Sequence, residues 1–136
     1  MAYAPFDLSG KVALVTGGNR GIGLGMAEAL AASNASIAVW GRTSAANDAA
    51  VEKLSGLGTG EVKAWTVDVA DEQAVIDATA DVVSSMGRID SCFANAGVGF
   101  GAPSFIEMTT ETWRKNMAVN LEGAFWTLRE SVKHMT

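Results

Sequence analysis

One cysteine stands in 136 residues, so no disulfide can form within the chain. Cys92 falls in an apolar stretch, where a small buried hydrophobe is the expected role rather than a reactive thiol. No uninterrupted apolar run approaches the length that spans a bilayer, and the opening MAYAPFDLSGK lacks a basic start followed by a long apolar stretch. Those absences predict a soluble, cytoplasmic protein with no membrane partner. Basic charge is scarce as well: Lys and Arg number 10 against 15 Asp and Glu, for a net charge of −5, and they are scattered. Nothing in that distribution offers a footprint for a nucleic-acid backbone, so no nucleic acid is expected as partner. The single histidine, His134, has no companions for metal ligation or catalysis, and no metal is expected. No low-complexity tract, charge run or Pro/Ser linker marks a domain boundary. What remains is 49% hydrophobic and 18% charged, the balance of one packed domain over residues 1–136.

The apolar residues arrange themselves as alternating strands and helices. Lys11 to Thr16 (KVALVT) is a short apolar run ending at glycines, the pattern of a strand buried on both faces of a parallel sheet. From Ile22 to about Ala32, Leu24, Ala27, Leu30 and Ala31 recur at helical spacing, and Ser33 and Asn34 end the segment. A second buried run follows at Ala35 to Trp40, then a helix from about Ser44 to Leu54, a Gly-rich connection, and a strand from Val62 to Val67. Asp71 is a good N-cap for a third helix that presents Val75, Thr79, Val82, Val83 and Met86 to a core and closes at Gly87. Ile89 to Ala94 reads as a fourth strand. From about Thr109 to the end, one or two helices carry the apolar stripe Leu121, Phe125, Leu128, Val132 and Met135. Trp126 lies off that stripe, which suits either an interface contact or a second face on the core. Strands alternating with helices imply an α/β fold with a parallel sheet and right-handed crossovers.

Between the first strand and first helix lie Thr16-Gly17-Gly18-Asn19-Arg20-Gly21-Ile22-Gly23. A strand-to-helix turn aims backbone N–H groups and the positive helix end at one point, and glycine removes the Cβ that would block a pyrophosphate. In this reading Gly17 permits the tight turn, Gly21 close approach, and Gly23 helix-to-strand packing. A kinase-type phosphate loop fits poorly, because no Lys-Ser or Lys-Thr pair follows the last glycine.

With further residues in the same order, the chain resembles the short-chain dehydrogenases/reductases. That family's turn TGxxxGxG is matched by Thr16, Gly17, Gly21 and Gly23, with Asn19, Arg20 and Ile22 between them counted among the cofactor contacts. The resemblance implies that Asp68 and Val69 contact adenine. It further implies that Asn95, Ala96 and Gly97 steady the sheet beside the cofactor. Asn120 falls where the family carries a catalytic-site asparagine that kinks a helix and holds a water in the proton relay. The resemblance runs from Leu8 onward. It implies a Rossmann-type, doubly wound parallel sheet with strand order 3-2-1-4, forming one NAD(P)-binding domain truncated before the remaining strands.

An acid at the end of the second strand would bind the free ribose hydroxyls of NAD and repel a 2′-phosphate, whereas a basic residue would welcome that phosphate. Here the strand ends Val39-Trp40-Gly41-Arg42-Thr43-Ser44, with no acid. Arg42 can pair with a 2′-phosphate, Thr43 and Ser44 can add hydroxyl donors, and Arg20 can supply a second charge. NADP(H) is therefore preferred, with NAD(H) left open.

In the family a Tyr protonates the substrate oxygen, aided by a Lys four residues later and an upstream Ser. The only tyrosine here is Tyr3, ahead of the first strand, and four residues on stands Asp7. Of that machinery Asn120 alone remains. A general acid contributes about 10²–10⁴ in rate, so the isolated chain is expected to be nearly inactive. The complete enzyme would reduce a carbonyl or oxidise a secondary alcohol, as a homo-oligomer through the last helix. A second reading stays open, in which the chain is complete as given and serves as an inactive nucleotide-binding or interaction module.

Overall fold

The computed structural model describes residues 3–135. Its strands are β1 (Val12–Thr16), β2 (Ser36–Gly41), β3 (Val62–Thr66) and β4 (Ser91–Phe93). Its helices are α1 (Gly21–Ala32), α2 (Ser44–Ser55), α3 (Glu72–Met86), α4 (Thr110–Met117) and α5 (Ala124–Val132). A π-helical segment, Ala118–Gly123, joins the last two, and a short 3₁₀ turn, Ala4–Phe6, precedes the first strand. The four strands form one sheet, parallel as the alternation of strands and helices predicts, in the order β3-β2-β1-β4 that the family resemblance implies. Val12 aligns with Ser36, Ile37 with Val62, and Ala13 with Ser91.

The central strands are buried on both faces because each face carries its own helices. Ala13, Val15, Ile37 and Val39 point to one side, where they meet Ala27 and Ala31 of α1 and Ala50 and Leu54 of α2. Leu14, Ala38 and Trp40, one residue out of phase, point to the other and meet Val75, Ala78 and Val82 of α3. Period-two alternation in strands apolar throughout therefore fills two separate cores. Asp71 accepts a hydrogen bond from Ala74 N at 3.1 Å to start α3, and Gly87, at φ +85°, ends it in the left-handed region.

β4 is shorter than the apolar run Ile89 to Ala94. It stops because Asn95 N turns back to donate to Phe93 O at 2.8 Å. It starts late because Asp90 has other work. Its carboxylate accepts from Val12 N at 2.8 Å and takes two hydrogen bonds from Arg88. Burial pushes the Asp90 carboxyl up, but the Arg88 hydrogen bonds, the Val12 N–H and the charges of Arg88 and Lys11 outweigh it and hold the group below its ordinary value.

The apolar stripe of the last helix does not face the core. Leu121 is 62% exposed, Phe125 57% and Val132 61%. The face laid against the protein holds Gly123, Thr127, Glu130 and Ser131 instead. The reason is close approach: a Cβ on Gly123 would stand 2.8 Å from Val69 Cγ2 and 2.9 Å from Val69 O. No side chain fits at position 123 without moving Val69. Trp126, off the stripe, packs half-buried on the core beside α3, and Arg129 bonds Glu72 at 2.8 Å to hold α5 to that helix.

Candidate functional site

The turn after β1 is built around two residues whose backbone lies in the left-handed region, Gly17 at φ +62° and Gly21 at φ +56°. An L side chain at either position would be strained. At Gly21 a Cβ would meet nothing within 4 Å, so that side of the turn is open space. At Gly23 the opposite holds: a Cβ would lie 2.2 Å from Gly17 O and 2.5 Å from Asn95 Nδ2. Gly23 is thus where α1 touches the turn, and Gly21 is where something else can approach.

The turn forms one wall of a cleft of about 600 Å³ at the carboxyl ends of the strands. Gly17, Asn19, Arg20, Gly21, Ile22 and Gly23 come from the turn, and Arg42 and Thr43 from the end of β2. Asp68 and Val69 follow β3, and Asn95, Ala96 and Gly97 follow β4. Every residue assigned to a cofactor on sequence grounds borders this cleft except Thr16 and Ser44.

Two helices begin on the cleft, and neither has a side-chain cap. Arg20 precedes α1 and Thr43 precedes α2, and no side chain accepts from the first-turn N–H groups of either. Two helices that begin elsewhere are capped, Asp71 accepting from Ala74 N to start α3 and Thr109 Oγ1 from Thr112 N to start α4, while α5 runs on from the π-helical segment without a side-chain cap. First-turn N–H groups have no partner inside their helix, so both uncapped ends leave donors and a positive dipole toward the cleft. With the exposed guanidinium groups of Arg20 and Arg42 beside them, the arrangement suits an extended, multiply charged anion.

Thr16 does something other than line that wall. Its side chain is buried, accepts from Ala96 N at 3.0 Å and donates to Phe93 O at 3.4 Å. It clips β1 to the turn after β4. Asn95 completes the clip by donating to Thr16 O at 3.1 Å, which leaves Ala96 and Gly97 at the cleft edge.

Asn120 lies in the π-helical segment, as a kinking asparagine would. It does not border the cleft itself. Its amide brackets Val98, accepting from Val98 N and donating to Val98 O, each at 2.8 Å. Asn116, one turn earlier, does the same to Phe100, at 3.0 and 2.9 Å. Two amides four residues apart thus hold alternate residues of the loop after β4, much as a neighbouring strand would, and Val98 is thereby placed on the cleft wall.

Sequence reasoning missed part of the wall and its main internal support. Ala46, Val67 and Val119 border the cleft as apolar residues without a motif. Asn47 lies just behind it, buried in the first turn of α2. A polar residue at a helix position otherwise filled by alanines was the available signal.

Comparison with known proteins places these observations. A family model described as short chain dehydrogenase matches residues 11–136. Gluconate 5-dehydrogenase of Gluconobacter oxydans is 39% identical over 132 residues, covering 96% of this chain and 50% of that protein. The 3-oxoacyl-[acyl-carrier protein] reductase of Brucella melitensis, solved in complex with NAD, superposes with a TM-score of 0.86 at 38% identity, over 92% of this chain and 49% of that one. A metagenomic short-chain oxidoreductase in complex with NADP superposes at 0.87 with 31% identity, over 93% of this chain and 57% of that one. The chain spans about half the length of the curated relatives it matches.

Proposed function

The chain belongs to the short-chain dehydrogenase family, and on that premise we propose that its cleft binds a nicotinamide dinucleotide, NADP(H) in preference to NAD(H). The bound dinucleotide supplies hydride exchange with a carbonyl or secondary alcohol. The observation that carries this reading is the pair of uncapped helix starts on one cleft with a guanidinium beside each.

The residues present fit the group. The open side of Gly21 and the first-turn N–H groups of α1 receive the pyrophosphate. Arg42 and Thr43 at the start of α2 receive the phosphorylated ribose, with Arg20 as second charge. Asp68 and Val69, on the cleft wall, would hold adenine, and Asp68 keeps its loop shape by accepting from Ala70 N at 3.0 Å. Ile22, 75% exposed at the mouth of the turn, gives the cofactor an apolar contact. Asn120 acts through Val98, holding the loop that the substrate would face. No Tyr-x-x-x-Lys pair occurs in the sequence, so the chain by itself binds the nucleotide without turning substrate over. The setting of this activity is cytoplasmic. The exposed stripe of α5 pairs with a second copy in the complete oxidoreductase, which light scattering of that protein checks directly.

Fluorescence titration with NADPH and NADH tests the cofactor assignment. NADPH is expected to bind more tightly, and Arg42→Ala to cost it about tenfold while NADH changes little, since only the phosphorylated ribose needs that charge. A folded protein indifferent to both nucleotides, or an affinity ratio that Arg42→Ala leaves alone, would end this reading.

A further inference from the structure

One buried side chain ties together three segments at the Arg42 end of the cleft. Asn47 is 3% exposed, in the first turn of α2. Its Oδ1 accepts from Asn19 Nδ2 at 2.9 Å, and its Nδ2 donates to Gly41 O at 3.1 Å and to Trp65 O at 3.2 Å. The glycine turn, the end of β2 and the end of β3 therefore share one amide. Its orientation is dictated by those partners: turned over, its NH₂ would face the NH₂ of Asn19 and its oxygen would face two carbonyls. The identity of residue 41 follows from the same contact. A Cβ on Gly41 would lie 2.1 Å from Asn19 Nδ2 and 2.4 Å from Asn47 Oδ1, so the clasp closes only over glycine.

Two of the residues in the clasp are next to an arginine. Asn19 precedes Arg20, and Gly41 precedes Arg42. We propose that Asn47 is a positioning residue for nucleotide selection, holding the Arg20 and Arg42 loops at the separation that lets both guanidinium groups engage the phosphate on the adenosine ribose. The proposal rests on the NADP(H) reading of the cleft. Among the described residues, the hydrogen bond left between the two loops without the clasp is the backbone one from Gly18 N to Trp40 O, at 3.3 Å. Ordering them then falls on the binding step and weakens it. NADH, with no phosphate for the arginines to share, is largely spared.

Titration of the full chain with NADPH and NADH decides the matter, using Asn19→Ala, Asn47→Ala and the double variant. Asn19→Ala opens the clasp from the loop side and leaves the bonds from Asn47 to Gly41 and Trp65 in place. Each single variant is expected to weaken NADPH binding about fivefold to tenfold and NADH binding less than about twofold. The double variant should be no weaker than the weaker single, because both remove one interaction. An Asn19→Ala protein that melts like wild type and keeps the NADPH-to-NADH ratio overturns the proposal, as does equal loss for both nucleotides, the mark of a merely structural role. Asn19 itself borders the cleft, so if Asn47→Ala does not fold, Asn47→Ser, behind the cleft wall, takes its place and must show the same selective loss of NADPH binding. A wild-type chain that binds neither nucleotide overturns the cofactor reading and this proposal together. A wild type that prefers NADPH, with Asn19→Ala unchanged, overturns only the clasp.

Discussion

Replacing Gly23 by alanine adds one methyl group where α1 meets the turn, and its consequence follows from three distances. The new carbon would lie 2.2 Å from Gly17 O, 2.8 Å from Gly17 C and 2.5 Å from Asn95 Nδ2. Two of those obstacles are backbone, so relief requires the helix to move off the turn by roughly an ångström, a shift that close-packed interiors resist. Overpacking of this kind costs about 1–3 kcal/mol. Displacing the Asn95 amide from Thr16 O, now 3.1 Å away, adds about 1 kcal/mol. The total is about 2–4 kcal/mol, or a melting point lower by roughly 8–16 °C for a domain of this size. Gly25, two residues further along α1, is the internal control. A Cβ there meets nothing within 4 Å, so Gly25→Ala should stabilise by about 0.5–1 kcal/mol through the better helix propensity of alanine. Urea denaturation followed by circular dichroism measures both, with the denaturant slope checked for constancy. A Gly23→Ala protein within about 0.5 kcal/mol of wild type would refute the steric account. So would a Gly25→Ala protein destabilised as much as Gly23→Ala, since glycine would then matter to the helix for some reason other than that contact.

Asp90 joins the starts of β1 and β4, and its carboxyl is held below its ordinary value, so the stability it contributes is present above that ordinary value and disappears as pH falls through the lowered one. Asp90→Asn should cost about 1–2 kcal/mol at neutral pH, with the difference from wild type vanishing in acid; urea midpoints across a pH series measure it. Burial raises the Cys92 thiol, with Ser131 opposing, so a disulfide reagent should modify the native protein at least about tenfold more slowly than the urea-unfolded chain. Equal rates would place the thiol at the surface. Asp71→Ala removes the acceptor for Ala74 N and should lower stability by about 1 kcal/mol, read from the same melts.

Most of the sheet was legible because buried parallel strands and amphipathic helices differ in the spacing of their apolar residues. KVALVT and ASIAVW could be little else, and Asp71 and Gly87 announced the ends of α3 by their chemistry. The cleft was legible because a glycine turn between strand and helix has few other uses. Where the expectation bent, a contact distant in sequence was responsible. Thr16 belongs to the turn motif, yet its hydroxyl is taken by Ala96 and Phe93, about eighty residues away.

Local pattern therefore determined the order of elements, the glycine turn after β1 and the charge beside it, because each depends on residues close together in the chain. Tertiary packing alone decided which face of the last helix turns inward, since the near approach to Val69 admits only glycine at position 123, and the face that carries Thr127 and Ser131 is buried while Leu121, Phe125 and Val132 stay outside. It also decided what Asn47 does. A single asparagine among alanines has no meaning until three strand ends converge on it, and only then can its amide be satisfied in a buried place.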